Sequence, residues 1–178
     1  MILERATHSR PSQYLQEKIW KPIGTEYPAT WSIDSEQDGF ELTPILLNAR
    51  VIDLAKFGRL YLNNGNWDGK QIVPKQWVLD STTRDPSDHR PWETFSRWQQ
   101  DGGYYKYFWW GISHGDDYSY MGIGTYGQFI FVSPRTKVVI VRTADEDGID
   151  PPYWREVFEN IAEHVDEAYG QSNAATGR

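Results

Sequence analysis

The chain contains no cysteine, which excludes disulfide staples, thiol catalysis and thiolate zinc sites. Positive charge is also scarce. With 18 Lys and Arg against 25 Asp and Glu, the formal net charge is -7, so no basic stripe is available to follow a phosphate backbone and nucleic acid is excluded as a partner. No uninterrupted apolar run reaches transmembrane length, so no membrane insertion is expected within this chain, and residues 1–24 lack the basic, apolar, small-residue order of a signal peptide. Histidine is limited to His8, His89, His114 and His164, scattered singly with no i, i+4 pair, so no metal site is expected. What is abundant is aromatic surface: nine Trp, eleven Tyr and seven Phe make up 15% of the residues. Large core fillers or stacking platforms must be common, a bias shared by sugar-binding modules and by enzymes with deep apolar cores. At 178 residues and 39% hydrophobic, the chain is long enough for one compact domain.

Periodicity predicts helices first. Ile2, Leu3 and Ala6 read as the last turns of a helix already under way at Met1. Pro11 opens a second helix carrying Tyr14, Leu15 and Ile19, which Pro22 and Gly24 stop. Val51, Leu54, Ala55, Gly58, Tyr61 and Leu62 recur at helical spacing, with Asn48 the expected N-cap and Asn63-Asn64-Gly65 a left-handed stop. Gln71-Ile72-Val73 is a short extended piece and Pro74 opens a further short helix. From Arg84 to Gly103 no period appears, and Trp92, Phe95 and Trp98 suggest a packed flap or a substrate-contacting lid. Strands follow at Tyr104–Ile112, Tyr118–Met121, Gln128–Val132 and Lys137–Val141; the last two are apolar on both faces, so the sheet is expected to be covered on both sides. A final amphipathic helix after Pro151-Pro152 carries Trp154, Val157, Phe158, Ile161 and Val165, and residues 170–178 read as a disordered polar tail beyond a single domain of residues 1–169.

Most short motifs fail on context. Gly122-Ile123-Gly124-Thr125-Tyr126-Gly127 satisfies G-x-G-x-x-G, but a strand follows instead of the helix N-terminus that a pyrophosphate needs. Gly111-Ile112-Ser113-His114-Gly115 fits G-x-S-x-G, yet a hairpin turn follows where a nucleophile elbow requires a helix. Tyr61-Leu62-Asn63 is a helix terminus, and Asp145-Glu146-Asp147 a solvated charge cluster.

Five segments, taken in order, carry a resemblance. Tyr14–Gly24 is similar to the helix-Pro-Leu-Gly segment of the serine β-lactamase-related family, which includes class C β-lactamases, D-Ala-D-Ala carboxypeptidases, esterases and nylon-oligomer amide hydrolases. Leu47–Gly58 resembles its Leu-Asn-Ala-Thr-Ala-x-Asp-Leu-Ala-x-Phe-Gly helix, and Lys70–Val78, Tyr107–Trp110 and Gly124–Val141 continue the match over roughly residues 1–168. The fold this implies is α+β: a β-lactamase/transpeptidase-like antiparallel sheet flanked by helices, incomplete at the N-terminus.

The resemblance implies a serine hydrolase that cleaves an ester or amide through an acyl-enzyme, built from a Ser-x-x-Lys helix, a Tyr-x-Asn-type loop and a Lys-Thr-Gly or His-x-Gly strand. Only the strand element carries over, onto Thr125-Tyr126-Gly127; no Ser-x-x-Lys occurs in residues 1–178. By that match the backbone N–H of Gln128 is the oxyanion donor, Gly127 lets a substrate approach and Tyr126 contacts substrate. Trp109 and Trp110 either line an acyl pocket or fill the core of a buried strand. Thr125 stands where a cation is usual, which favours neutral esters or amides over carboxylate-bearing substrates. The partners implied are a small-molecule ester, amide or peptide substrate and the missing N-terminal portion of the same domain. No cofactor is implied, and a periplasmic or secreted setting accords with the family while the sequence leaves the compartment open. Two other readings remain: a non-catalytic penicillin-recognising or scaffold domain, and an aromatic-rich carbohydrate-binding module.

Overall fold

Five successive segments rich in apolar and aromatic residues pair in strict chain order to form one antiparallel sheet, each strand joined to the next by a hairpin. The computed structural model describes every residue except 1, 38, 44, 86, 88–101, 115–116 and 177–178. The strands are β5 (Gly103–Lys106), β6 (Trp109–His114), β7 (Asp117–Gly124), β8 (Gln128–Ser133) and β9 (Val138–Arg142). Ahead of them lie α1 (Ile2–Thr7), α2 (Pro11–Leu15) continuing into a π-helical turn at Gln16–Trp20, the ribbon β1 (Thr30–Trp31) with β2 (Leu47–Asn48), α3 (Val51–Leu62), the ribbon β3 (Asn66–Trp67) with β4 (Lys70–Gln71), and α4 (Lys75–Thr82). The chain closes with α5 (Pro151–Thr176).

Strand alternation sends side chains to two separate cores, as a period of two requires. On one face Trp109, Tyr120 and Val132 pack with Leu60 and Tyr61 of α3 and with Ile23, Val73 and Val78. On the other, Ile112, Met121, Phe129 and Phe131 pack against Phe158 and Ala162 of α5. Both faces of the sheet are therefore covered, as the unbroken apolar character of β8 and β9 required. Aromatics supply much of the filling: the rings of Tyr61 and Trp109 lie 4.8 Å apart, and those of Phe129 and Phe158 5.6 Å apart.

The structure corrects several local expectations. The segment Tyr104–Ile112 is not one strand; it turns back at Tyr107-Phe108, where both residues have positive φ (47° and 70°) and no glycine or proline marks the reversal. Asn48 does not cap α3, because it pairs with Thr30 in the β1–β2 ribbon and leaves Arg50 at the N-cap without a side-chain bond. Helix α5 continues through Gly170 to Thr176, since one glycine in a helix costs only about 1 kcal/mol and the alanines beyond it favour helix. Its sheet-facing stripe is Trp154, Phe158 and Ala162, whereas Val157 and Ile161 are exposed. Ser113 lies within β6 opposite Tyr118, so the G-x-S-x-G stretch is strand and not an elbow. The flap with Trp92, Phe95 and Trp98 lies outside the described residues.

The Tyr104 hydroxyl donates to the carbonyl of Thr82, tying the edge strand β5 to the end of α4. Burial pushes the Tyr104 and Tyr120 hydroxyls well above the ordinary tyrosine value of 10.0, and Tyr118 beside both adds to the effect. In the unfolded chain these tyrosines ionise near 10.0, while in the fold they remain neutral, so their contribution is complete below about pH 10 and falls as the pH rises beyond it. Urea unfolding followed across this range is expected to show falling stability above about pH 10. A flat profile, or phenolate absorbance from these two rings in the folded protein, would refute the burial argument.

Candidate functional site at the β7–β8 turn

The turn Thr125-Tyr126-Gly127 joins β7 to β8, with Gly124 and Gln128 facing each other across its mouth. Tyr126 and Gly127 both have positive φ (62° and 72°), which tightens the reversal and pushes the Tyr126 ring out until it is 59% exposed. Thr125 is exposed as well, and Gly127 is buried.

Arg142, at the end of β9, holds this turn from behind. Its Nη1 donates to the carbonyl of Gly127 at 2.6 Å and its Nη2 to the carbonyl of Glu146 at 3.3 Å, while the guanidinium lies 4.2 Å from the Trp154 ring centre. Trp154 in turn donates its indole N–H to the carbonyl of Asp147 at 2.9 Å. The side-chain amide of Gln128 pairs in both directions with the backbone of Ala144, donating to its carbonyl and accepting from its N–H. The turn, the end of β9, residues 143–148 and the start of α5 thus form one braced unit. Nothing in the sequence singled out Arg142; its only signal is a cation terminating an otherwise apolar strand.

This geometry revises the sequence-based site. Gln128 opens β8 within the β7–β8 ladder, so its backbone belongs to strand pairing. The amides outside the ladder are those of the turn, and among the described residues the N–H groups of Thr125 and Tyr126 have no backbone acceptor. A glycine is needed at 127 because a Cβ there would overlap the Arg142 guanidinium and because φ is positive, so the requirement comes from protein packing. Trp109 is buried in the core beside Phe57, Tyr61 and Tyr120, and Trp110 packs with Tyr105 on the opposite face. Consecutive residues of one strand face opposite sides of the sheet, so the two cannot line one pocket. Tyr126 and Thr125 lie at the exposed edge of the sheet.

A separate cavity of about 230 Å³ lies between the π-helical turn and the β1–β2 ribbon, walled by Leu15, Trp20, Tyr27, Pro28, Trp31 and Leu47 among others. None of its lining residues belongs to the five-stranded sheet. The neighbouring segments expose apolar side chains: Ile33, Phe40, Ile45, Leu46, Leu47, Val51 and Ile52 are each more than one third accessible. Among the described residues no helix is long and apolar enough to cross a membrane.

No protein-family profile matches the chain. The 6-aminohexanoate-dimer hydrolase of Paenarthrobacter ureafaciens is 28% identical over 167 residues, covering 94% of this chain and 42% of that protein. A solved structure from Bacillus anthracis, provisionally named a 6-aminohexanoate-dimer hydrolase, matches with a TM-score of 0.78 at 28% identity, covering 93% of this chain and 41% of that one. The chain thus spans about two fifths of the length of these relatives. In sequence and in fold the chain is therefore similar to proteins named 6-aminohexanoate-dimer hydrolase.

Proposed function

We propose that this chain is the oxyanion-bearing part of a serine hydrolase that cleaves a linear amide uncharged near its scissile bond, or a related ester, through an acyl-enzyme. The observation that carries the reading is the braced turn, in which unpaired amides at Thr125 and Tyr126 sit on an exposed edge held rigid by Arg142. Developing negative charge on a tetrahedral intermediate is stabilised by amides fixed beforehand, and one such donor is worth about 3 to 4 kcal/mol in the transition state. Serine attacks the carbonyl, lysine and tyrosine transfer the protons, and water releases the acyl group. No Ser-x-x-Lys occurs in residues 1–178, so on this reading the nucleophile is supplied by a separate polypeptide segment. The relatives, more than half of whose length lies outside the match, support that arrangement, and the apolar residues between Ile33 and Ile52 supply a surface for such a segment. Thr125 brings no charge to the turn, which suits a substrate that is uncharged near the scissile bond.

The test is turnover of the linear 6-aminohexanoate dimer by this chain alone and after mixing with the unmatched part of the Paenarthrobacter protein. No turnover alone and measurable turnover in the mixture is the expected result. Activity of the isolated chain, or none in either sample, would sink the proposal.

A further inference from the structure

Among the described residues, four turns place two consecutive residues at positive φ. Three of them are Asn64-Gly65, Asp68-Gly69 and Tyr126-Gly127, each ending in the glycine that such a backbone favours. The fourth, Tyr107-Phe108, uses two bulky aromatics where Asn-Gly would be relaxed. It also leaves them in water: Tyr107 is 56% and Phe108 72% exposed. Backbone strain and apolar exposure thus fall on the same two residues, and the core receives neither ring.

Strand register gives this cost a direction. The turn feeds β6, which is hydrogen-bonded to β7, and continuing the Trp110 to Met121 register puts Tyr107 level with Gly124, the last residue before Thr125. The aromatic turn and the candidate oxyanion turn therefore project from the same end of the sheet on neighbouring hairpins, one strand spacing of roughly 5 Å apart at their bases. Trp77 of α4 lies 5.0 Å from the Tyr107 ring and Tyr105 6.5 Å from that of Phe108, so the two exposed rings are backed by further aromatics. Tyr126 adds a third exposed ring on the same edge.

We propose that Tyr107 and Phe108 form a substrate-binding rim that takes the polymethylene stretch of a linear amide substrate while its carbonyl lies at the Thr125-Tyr126 amides. The proposal rests on the hydrolase reading above for the identity of the ligand. A flexible polymethylene segment is the occupant that fits, because flat apolar rings offer it contact area without requiring a charged or multiply hydrogen-bonded group at that point.

The experiment uses the full 178-residue chain and the double variant Tyr107→Asn/Phe108→Gly, with the linear 6-aminohexanoate dimer as probe. Binding is read from NMR shifts of the backbone amides of residues 105–110 and 125–127, and stability from Tm. Wild type is expected to show saturable shifts in both segments. The variant is expected to lose at least about tenfold in affinity while its Tm rises by about 2 to 4 °C, because Asn-Gly relieves the strained turn. A fall in Tm would show that the rings brace the fold, and unchanged affinity would show that they do not touch ligand; either result overturns the rim. Shifts produced by an oligosaccharide such as maltohexaose and not by the dimer would overturn it in favour of a sugar platform. Rim binding without turnover in the reconstituted mixture would leave the rim standing and remove the hydrolase reading. Turnover with KM unchanged by the double variant would do the reverse.

Discussion

Gly127→Ala is expected to destabilise the protein by about 3 kcal/mol. The left-handed backbone (φ +72°) costs an L-residue about 1 to 2 kcal/mol, and the new Cβ displaces a charge-assisted hydrogen bond worth about 1.5 to 3 kcal/mol. Arg142 cannot step aside cheaply, because the same guanidinium bonds Gly127 and Glu146 and stacks on Trp154. For a chain of this size the Tm is expected to fall by about 6 to 12 °C. If the turn serves the hydrolysis proposed above, kcat of the reconstituted enzyme falls by about 10² as well. A double-mutant cycle with Arg142→Met isolates the cause: the penalty at 127 should shrink to the backbone component once the guanidinium is gone. A Gly127→Ala penalty below about 1 kcal/mol, or one that Arg142→Met leaves unchanged, would show that the clamp does not constrain this turn.

Asp53→Ala is expected to be the most damaging change outside the sheet. The side chain of Asp53 is fully buried in the first turn of α3, and its two carboxylate oxygens accept from the backbone N–H groups of Glu26 at 2.7 Å and Tyr27 at 3.0 Å. It therefore fastens the segment after the π-helical turn to α3, at the helix end where negative charge is favoured. Removing it leaves two amides without their charged acceptor and loosens the cavity wall at Tyr27 and Pro28, a loss of about 3 to 5 kcal/mol. Asp53→Asn retains one carbonyl acceptor and should lose less. Urea unfolding of the three proteins decides it: an alanine variant within about 1 kcal/mol of wild type would mean that Asp53 fastens nothing.

The parts of the fold that follow from local rules were legible in the sequence. Helix α3 begins at Val51 and ends at Leu62 because its apolar residues keep helical spacing and Asn64-Gly65 can adopt the left-handed backbone that ends it. The hairpins after Gly124 and Ser133 were readable from turn residues between two apolar runs. The turn at Tyr107-Phe108 was not, since nothing about two aromatics announces a reversal; only the pairing of β5 with β6 compels it. Trp109 and Trp110 illustrate the same limit, as adjacency along the chain suggested one pocket while the pleat sends them to opposite cores. The site divided in the same way. Residues 125–127 were visible as a motif, but the identity of the unpaired amides depends on where the ladder ends.

Composition and periodicity alone determined that this is an acidic, cysteine-free chain of helices and strands with a sheet covered on both faces, because charge balance and apolar spacing are properties of neighbours in sequence. Tertiary structure alone decided that Arg142 braces the turn from another strand, that Asp53 fastens a distant segment, and that two strained aromatics stand beside the candidate site. Those three facts depend on contacts between residues separated by about 15 to 30 positions or on strand register, and no local pattern encodes either.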